Sequence, residues 1–321
     1  MSKLVNYRVL ITEPINEIGV EYLRKRHVNV FELKPGANEN DLSNYIDEVD
    51  GLVTRGSIKV TRDMMKKSRR LKVIGVHGIG CDHVDLEAAK DLHKKVCNTP
   101  DALTVTVSEM ALSLILASLR NVVSADKAVR AGSWNRKYSD LIGGELSGRT
   151  VGIIGMGRIG EATASRIMSF GASVIYWSRN RKREVEHKLG IKWVSLEELL
   201  KNSDIISLHV AATSETYHMI GEKQFSLMKD GVRIVNTARG RIIDEQALIK
   251  SLESGKVKTA ALDVFENEPL STENPLCKMD NVILTPHIGA SNREGMERMA
   301  LQVAQGVYDV LRGREPANPV V

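Results

Sequence analysis

An arginine, a glutamate and a histidine each follow an apolar run in the last third of this 321-residue chain: Arg239 in NTARGRIID, Glu268 in ALDVFENEPL and His287 in ILTPHIGAS. Singly, each has a plain explanation as a solvated charge, a loop carboxylate or a hydrogen-bonded cap. Together they form a working set. A guanidinium holds a carboxylate and polarises the neighbouring carbonyl, while an imidazolium donates a proton to the oxygen on which charge develops. A carboxylate beside the imidazole orients it and favours its charged form. Interconversion of a 2-keto acid and a 2-hydroxy acid needs these three functions together with a hydride carrier.

A site for such a carrier is legible upstream. VGIIGMGRIGEATASRI places Gly155, Gly157 and Gly160 in GxGxxG spacing between a strand-like run and a helical pattern, with a second strand-like run after it. In that context the first glycine permits the tight turn, the second lets a pyrophosphate approach the backbone, and the third lets helix and sheet pack closely. The helix N-terminus, with Arg158 and Ile159 in its first turn, supplies N–H groups and partial positive charge to the phosphates. The second strand then ends in SVIYWSRNRKR, where an acid that accepts from the ribose 2′-hydroxyl of NAD is usual. Here the position holds Ser178, eighteen residues after Gly160, followed by Arg179 and Arg181. Guanidinium groups suit a 2′-phosphate, so NADP(H) is the expected cofactor and NAD(H) the alternative.

The elements that must position these residues form two series. Runs at 8–11, 28–33, 51–54, 71–76 and 94–98 alternate with helical patterns such as 16–26 and 61–68, which predicts a parallel sheet covered on both faces. Pro100 then breaks the chain, with Asp101 expected to cap the following long helix. From 150 the alternation resumes with six strands, at 150–154, 173–177, 204–210, 232–238, 259–265 and 281–287, and a capping box at Ser195 and Glu198. The fold class is therefore α/β, with two doubly wound parallel-sheet domains: a flavodoxin-like substrate domain, residues 1–100 plus 290–321, and a Rossmann nucleotide-binding domain, residues 101–289.

Composition narrows the function classes. With 42% hydrophobic and 26% charged residues the chain has enough apolar content for two cores. A formal charge of +5, from 45 Lys and Arg against 40 Asp and Glu, is too small to argue for nucleic acid. The most apolar stretch, 102–119, is interrupted by Thr104, Thr106, Ser108 and Glu109, so no membrane span is expected. The N-terminus lacks the apolar core of a signal peptide, and Cys81, Cys97 and Cys277 show neither disulfide nor zinc spacing; a reducing, cytoplasmic compartment and no metal are expected.

VGIIGMGRIG, NTARG, AALDVFENEP and LTPHIGAS, in this order and spacing, resemble the NAD(P)-dependent D-2-hydroxyacid dehydrogenase family, and GIGCDHVDLEAA at 78–89 resembles its substrate loop. The resemblance implies Arg239 as the substrate-binding arginine and Glu268 with His287 as the acid/base pair. It implies Asp263 at the nicotinamide carboxamide, with Val210, Thr237 and Ala238 also lining the nucleotide. Val76, Gly78 and Ile79 fall where the family offers backbone groups to the substrate carboxylate, with Arg55 near the same pocket. The family's architecture, two α/β domains flanking a cleft in a homodimer built around the long helix after the hinge, is implied as well.

YWSRNRK is similar to the NADPH-preferring glyoxylate and hydroxypyruvate reductases of the family, so a small unphosphorylated 2-keto or 2-hydroxy acid is the expected substrate. RGRIIDEQAL also resembles D-3-phosphoglycerate dehydrogenases of serine biosynthesis, which use NAD; Ser57 stands where some of those enzymes carry another arginine. A dinucleotide-sensing binding protein is the alternative from another class. His77, in the substrate loop, is expected to be structural, and Trp134 is open between pocket wall and subunit interface.

Overall fold

The structure, a computed structural model, describes residues 6–321; the first five residues of the expected substrate domain lie outside them. The chain divides into two units, one running to Leu103 and resuming from Ala290 to Val321, the other Thr104–Gly289. The first crossing thus falls three residues after the expected 100/101 boundary. Arg298 Nε donates to Ala102 O at 3.1 Å, a bond that keeps Ala102 with the first unit.

In the first unit β1 (Arg8–Ile11), α1 (Glu17–Arg24), β2 (Asn29–Glu32), α2 (Glu39–Tyr45), β3 (Gly51–Thr54), α3 (Arg62–Lys67), β4 (Val73–Val76), α4 (Leu86–Asp91) and β5 (Lys95–Cys97) alternate along the chain. The strands form one parallel sheet in the order β2-β1-β3-β4-β5. Both faces are buried, because successive side chains on a strand point to opposite sides. Leu10, Leu52 and Ile74 enter one apolar cluster, and Val9, Val53 and Val73 enter the other.

The second unit opens with α5 (Thr104–Arg120) and α6 (Val122–Arg130). Asp101 lies three residues ahead of α5, and the chain turns through 100–103 before the helix starts. There follow β6 (Thr150–Ile154), α7 (Arg158–Met168), β7 (Ser173–Trp177), α8 (Arg183–Leu189), β8 (Lys192–Trp193), α9 (Leu196–Asn202), β9 (Ile205–Leu208), α10 (Glu222–Leu227), β10 (Val232–Asn236), α11 (Glu245–Glu253), β11 (Val257–Leu262) and β12 (Val282–Leu284). These make a 7-stranded parallel sheet, β12-β11-β10-β9-β6-β7-β8. The seventh strand, β8, is absent from the sequence expectation: two residues carry no periodicity. Its pairing is stabilised by Trp193 Nε1, which donates to Ser178 O at 3.1 Å. Ser195 Oγ accepts from Glu198 N at 3.1 Å, the forward half of the expected capping box.

α12 (Arg293–Leu311) returns to the first unit and packs on its sheet and on α1. Glycines permit the approach. A Cβ on Gly75 of β4 would come within 2.5 Å of Val307 Cγ2 and 2.7 Å of Val303 Cγ2. Among the described residues no single helix is long and apolar enough to cross a membrane; α5 and α6 reach that length only as a pair bent by 59°. Because Val303 and Val307 are pinned in a filled core, Gly75→Ala should destabilise the protein by about 1–3 kcal/mol, read as a lowered denaturation midpoint at unchanged slope.

Candidate active site

β10, β11 and β12 are neighbours in one sheet, with Asn236, Leu262 and Leu284 in register. Arg239 and His287 each follow their register residue by three positions, and the β11 end continues into the loop carrying Asp263 and Glu268. Parallel pairing thus delivers the three chemistry-bearing segments to one edge, where open α/β sheets bind ligands.

His287 Nδ1 lies 2.7 Å from Glu268 Oε2, and Glu268 Oε1 accepts from Phe265 N at 3.0 Å. The carboxylate therefore faces the imidazole with one oxygen and is anchored to its own loop by the other. His287 has φ of 53°, a left-handed conformation that a residue with a Cβ adopts only when its surroundings impose it. Its pKa is raised, first by the hydrogen bond to Glu268, against the opposing effects of burial and of Arg239. Burial pushes the Glu268 carboxyl up, but the His287 side chain and the Phe265 amide outweigh it and leave the pKa below the ordinary carboxylate value. Arg239 is near enough for its charge to act on both partners. Its Nη1 donates to Ala238 O at 2.7 Å, and Asn236 braces the turn from both sides, donating through Nδ2 to Arg239 O and accepting from Ala238 N.

Asp263 is engaged within the chain itself. It is 1% exposed, and its oxygens accept from Thr285 Oγ1 at 2.6 Å, Ile288 N at 2.9 Å and Gly289 N at 2.7 Å. The carboxylate expected at the nicotinamide carboxamide is engaged in holding the loop on either side of His287.

The phosphate loop has the features a dinucleotide requires. Gly155 adopts φ of 101°, and a Cβ there would meet the His209 carbonyl at 2.6 Å and Val210 N at 2.8 Å; a Cβ on Gly160 would strike Gly155 O. The position beyond Gly157 is open, with no atom within 4 Å of where its Cβ would stand. Arg158 and Ile159 open α7 immediately after. Thr237 Oγ1 is buried and has no hydrogen-bond partner among the described residues, a polar atom suited to a ligand group. These residues fit a pyridine dinucleotide.

At the end of β7 the structure separates the three expected phosphate ligands. Ser178 is buried and its Oγ donates to Asn180 O at 2.6 Å. Arg181 gives Nε and Nη2 to Glu186 at 2.8 and 2.7 Å, and Glu186 also accepts from Tyr176. The paired Arg181 guanidinium holds the Glu186 carboxyl down at about 2. Arg179 instead lies 73% exposed in a single contact to Glu215 at 2.7 Å. An exposed pair of this kind is exchangeable.

The residues expected at the substrate carboxylate lie at the strand ends of the first unit. Val76 ends β4, the Gly78 amide donates to Val76 O at 2.9 Å, and the Gly78 carbonyl accepts from Thr99. Ile79 O accepts from Asn98 Nδ2 at 2.8 Å. The Gly78 N–H is thus turned into its own tight bend. Arg55 Nη1 donates to Pro14 O at 2.8 Å. Sequence reasoning missed Glu13, at the end of β1, which accepts from Arg55 N at 3.0 Å, Ser57 N at 2.9 Å and the hydroxyls of Ser57 and Thr12. Burial would raise its pKa, but these donors outweigh it and keep the group below the usual carboxylate range. His77 is buried, and burial, reinforced by Arg55, lowers its pKa to about 4. Among the described residues no group of three His, Cys, Asp or Glu side chains is placed to hold a metal ion.

Residues 112–289 match the family model for the D-isomer specific 2-hydroxyacid dehydrogenase NAD binding domain. The chain belongs to the D-isomer specific 2-hydroxyacid dehydrogenase family. The chain is 41% identical over 319 residues to a glyoxylate reductase of Thermococcus litoralis, covering 98% of this chain and 96% of that protein. It is 39% identical over 313 residues to a D-3-phosphoglycerate dehydrogenase of Archaeoglobus fulgidus, covering 98% of this chain; the chain spans 59% of that relative's length. Among solved structures, a glyoxylate reductase from Paecilomyes thermophila matches with a TM-score of 0.89 at 34% identity, covering 98% of each chain. A D-lactate dehydrogenase from Aquifex aeolicus, complexed with NAD and lactic acid, matches with a TM-score of 0.87 at 31% identity, over 98% of this chain and 99% of that one. The members of this family are oxidoreductases acting on CH–OH groups, and the NAD binding domain identifies the cofactor as a pyridine nucleotide.

The Glu268 hydrogen bond is the leading cause of the raised imidazole pKa. Glu268→Gln should therefore shift the His287 titration to lower pH, a change measurable by NMR of the ring nitrogens.

Proposed function

We propose that the chain is a cytoplasmic, homodimeric reductase that converts a small unphosphorylated 2-keto acid, glyoxylate or hydroxypyruvate first, to the 2-hydroxy acid with NADPH. The observation that carries this reading is the pairing of His287 Nδ1 with Glu268 beneath the field of Arg239. With Nδ1 committed to the carboxylate, the proton available to substrate is the one on Nε2. Arg239 binds the substrate carboxylate and draws electron density from the adjacent carbonyl. The nicotinamide, when bound, supplies the hydride to the carbonyl carbon. As the C=O bond gives way, its oxygen takes the Nε2 proton, and the positive charge on the imidazole is replaced by a neutral ring that Glu268 holds in place. The reverse oxidation starts from the neutral ring.

The preference for an unphosphorylated substrate is supported by Glu13. Its carboxylate occupies the Arg55–Ser57 turn and stays ionised, so a dianionic phosphate approaching that turn meets a negative charge. The preference for NADPH is supported by Arg179, whose guanidinium can exchange Glu215 for a 2′-phosphate, while Arg181 remains with Glu186. A second copy as partner is supported by exposed apolar side chains on and after α6, including Val122, Val129, Trp134, Tyr138 and Ile142. Cys81, Cys97 and Cys277 form no disulfide among the described residues, which suits a reducing compartment.

Arg239→Ala should lower kcat/KM for the keto acid by about 10²–10³-fold, measured as loss of nicotinamide absorbance. For the intact protein, kcat/KM for reduction should be level below the raised His287 pKa and fall above it, because only the protonated ring is an acid. Unchanged turnover by Arg239→Ala would overturn the assignment. A panel of glyoxylate, hydroxypyruvate, pyruvate and 3-phosphohydroxypyruvate with each nucleotide should give the highest kcat/KM with one of the first two and NADPH. A highest value with 3-phosphohydroxypyruvate and NADH would instead establish the phosphoglycerate dehydrogenase alternative.

A further inference from the structure

A second imidazole–carboxylate pair joins the segments that carry Arg239 and Glu268. His218 Nε2 lies 2.8 Å from Glu266 Oε1, both side chains partly buried. His218 has φ of 48°, and the Tyr217 ring stacks on its imidazole at 4.0 Å between centroids and 14° between planes. Three segments meet around this pair. The 217–220 segment is tied to the turn after Arg239 by His218 N donating to Arg241 O at 2.9 Å and Ile220 N to Ile242 O at 3.1 Å. That turn is in direct backbone contact with the Glu268 loop, because a Cβ on Gly240 would fall on the Phe265 carbonyl. The loop is held in turn by Glu266 N on Glu245 Oε2 at 3.4 Å and by Phe265 N on Glu268 Oε1 at 3.0 Å.

Two of the three segments carry a member of the acid/base and substrate-binding set, and the third carries the imidazole that braces them. A histidine held in the left-handed region, stacked on Tyr217 and hydrogen-bonded to Glu266, is an over-determined residue. We propose that His218 and Glu266 are positioning residues: their pairing fixes the Glu268 loop against the Arg239 turn and thereby sets the geometry of the Glu268–His287 hydrogen bond. This inference rests on the assignment of Arg239, Glu268 and His287 to catalysis. The groups acting directly on the His287 titration are Glu268, Arg239 and Asp263. A loosened Glu268 therefore registers as a lower His287 pKa, which a purely structural brace would not produce.

The test compares His218→Ala, Glu266→Ala, Glu266→Gln and His287→Gln in the full chain. Reduction of the keto acid that the unmodified protein turns over best is followed across pH at saturating nucleotide, and nucleotide affinity is followed by fluorescence quenching. His218→Ala and Glu266→Ala should each lower kcat/KM by about 10- to 100-fold and move its descending limb to lower pH, with nucleotide affinity within about twofold. Glu266→Gln, which keeps an acceptor for the imidazole, should stay within about threefold of the unmodified protein. The proposal is overturned by an unmoved limb in the two alanine variants, or by loss of nucleotide affinity in parallel with activity. An inactive His287→Gln beside normal alanine variants would overturn the clamp alone, whereas a fully active His287→Gln would overturn the catalytic reading and the clamp with it.

Discussion

The buried carboxylate of Asp263 is the constraint on which the site depends. A charge shut away from water is tolerated only when its oxygens are hydrogen-bonded, and here the donors are Thr285 Oγ1 and the amides of Ile288 and Gly289. Satisfying Asp263 therefore draws the chain after β12 inward, and His287, lying between those donors, is carried into a left-handed conformation. That conformation presents Nδ1 to Glu268. Gly289 is part of the same arrangement, since a Cβ there would stand 2.9 Å from Asp263 Oδ2. The electrostatics of the pair follow from this placement.

The sheet supplies the remaining order. Strands in a parallel sheet lie about 4.8 Å apart, so residues past the ends of β10, β11 and β12 arrive side by side only because those strands are consecutive and in register. On the other side of β9 lies β6, and Gly155, the residue that follows it, packs on the chain leaving β9. The strand order changes direction there, at the topological switch point where such sheets bind nucleotides. The glycine loop and the segments carrying Arg239 and His287 thus lie along one edge of one sheet.

Much of this was legible in the residues. Buried parallel strands read as continuous aliphatic runs, and ten of the eleven expected strands plainly anticipate observed ones, with the eleventh, at 281–287, shortened to Val282–Leu284 by the inward turn of the chain. The GxGxxG spacing and the Arg239, Glu268 and His287 positions were equally visible, because backbone conformation and strand-end chemistry constrain the residue type locally. β8 was not visible, since two residues have no period, and neither was the start of α5 beyond Asp101, since a turn intervenes.

What the sequence by itself determined is the α/β class, the glycine spacing of the loop after β6 and the placement of Arg239, Glu268 and His287 past strand ends, all properties of short segments. Only the tertiary structure decided how the charges are used: Asp263 on the His287 loop, Glu13 on the Arg55–Ser57 turn, Arg181 on Glu186 while Arg179 stays exposed, and His218 on Glu266. The reason is physical. A charged side chain takes its partner from whatever lies within hydrogen-bond reach after folding, and apart from Thr12 beside Glu13 the partners of Glu13, Asp263 and His218 lie 22 to 48 residues away along the chain.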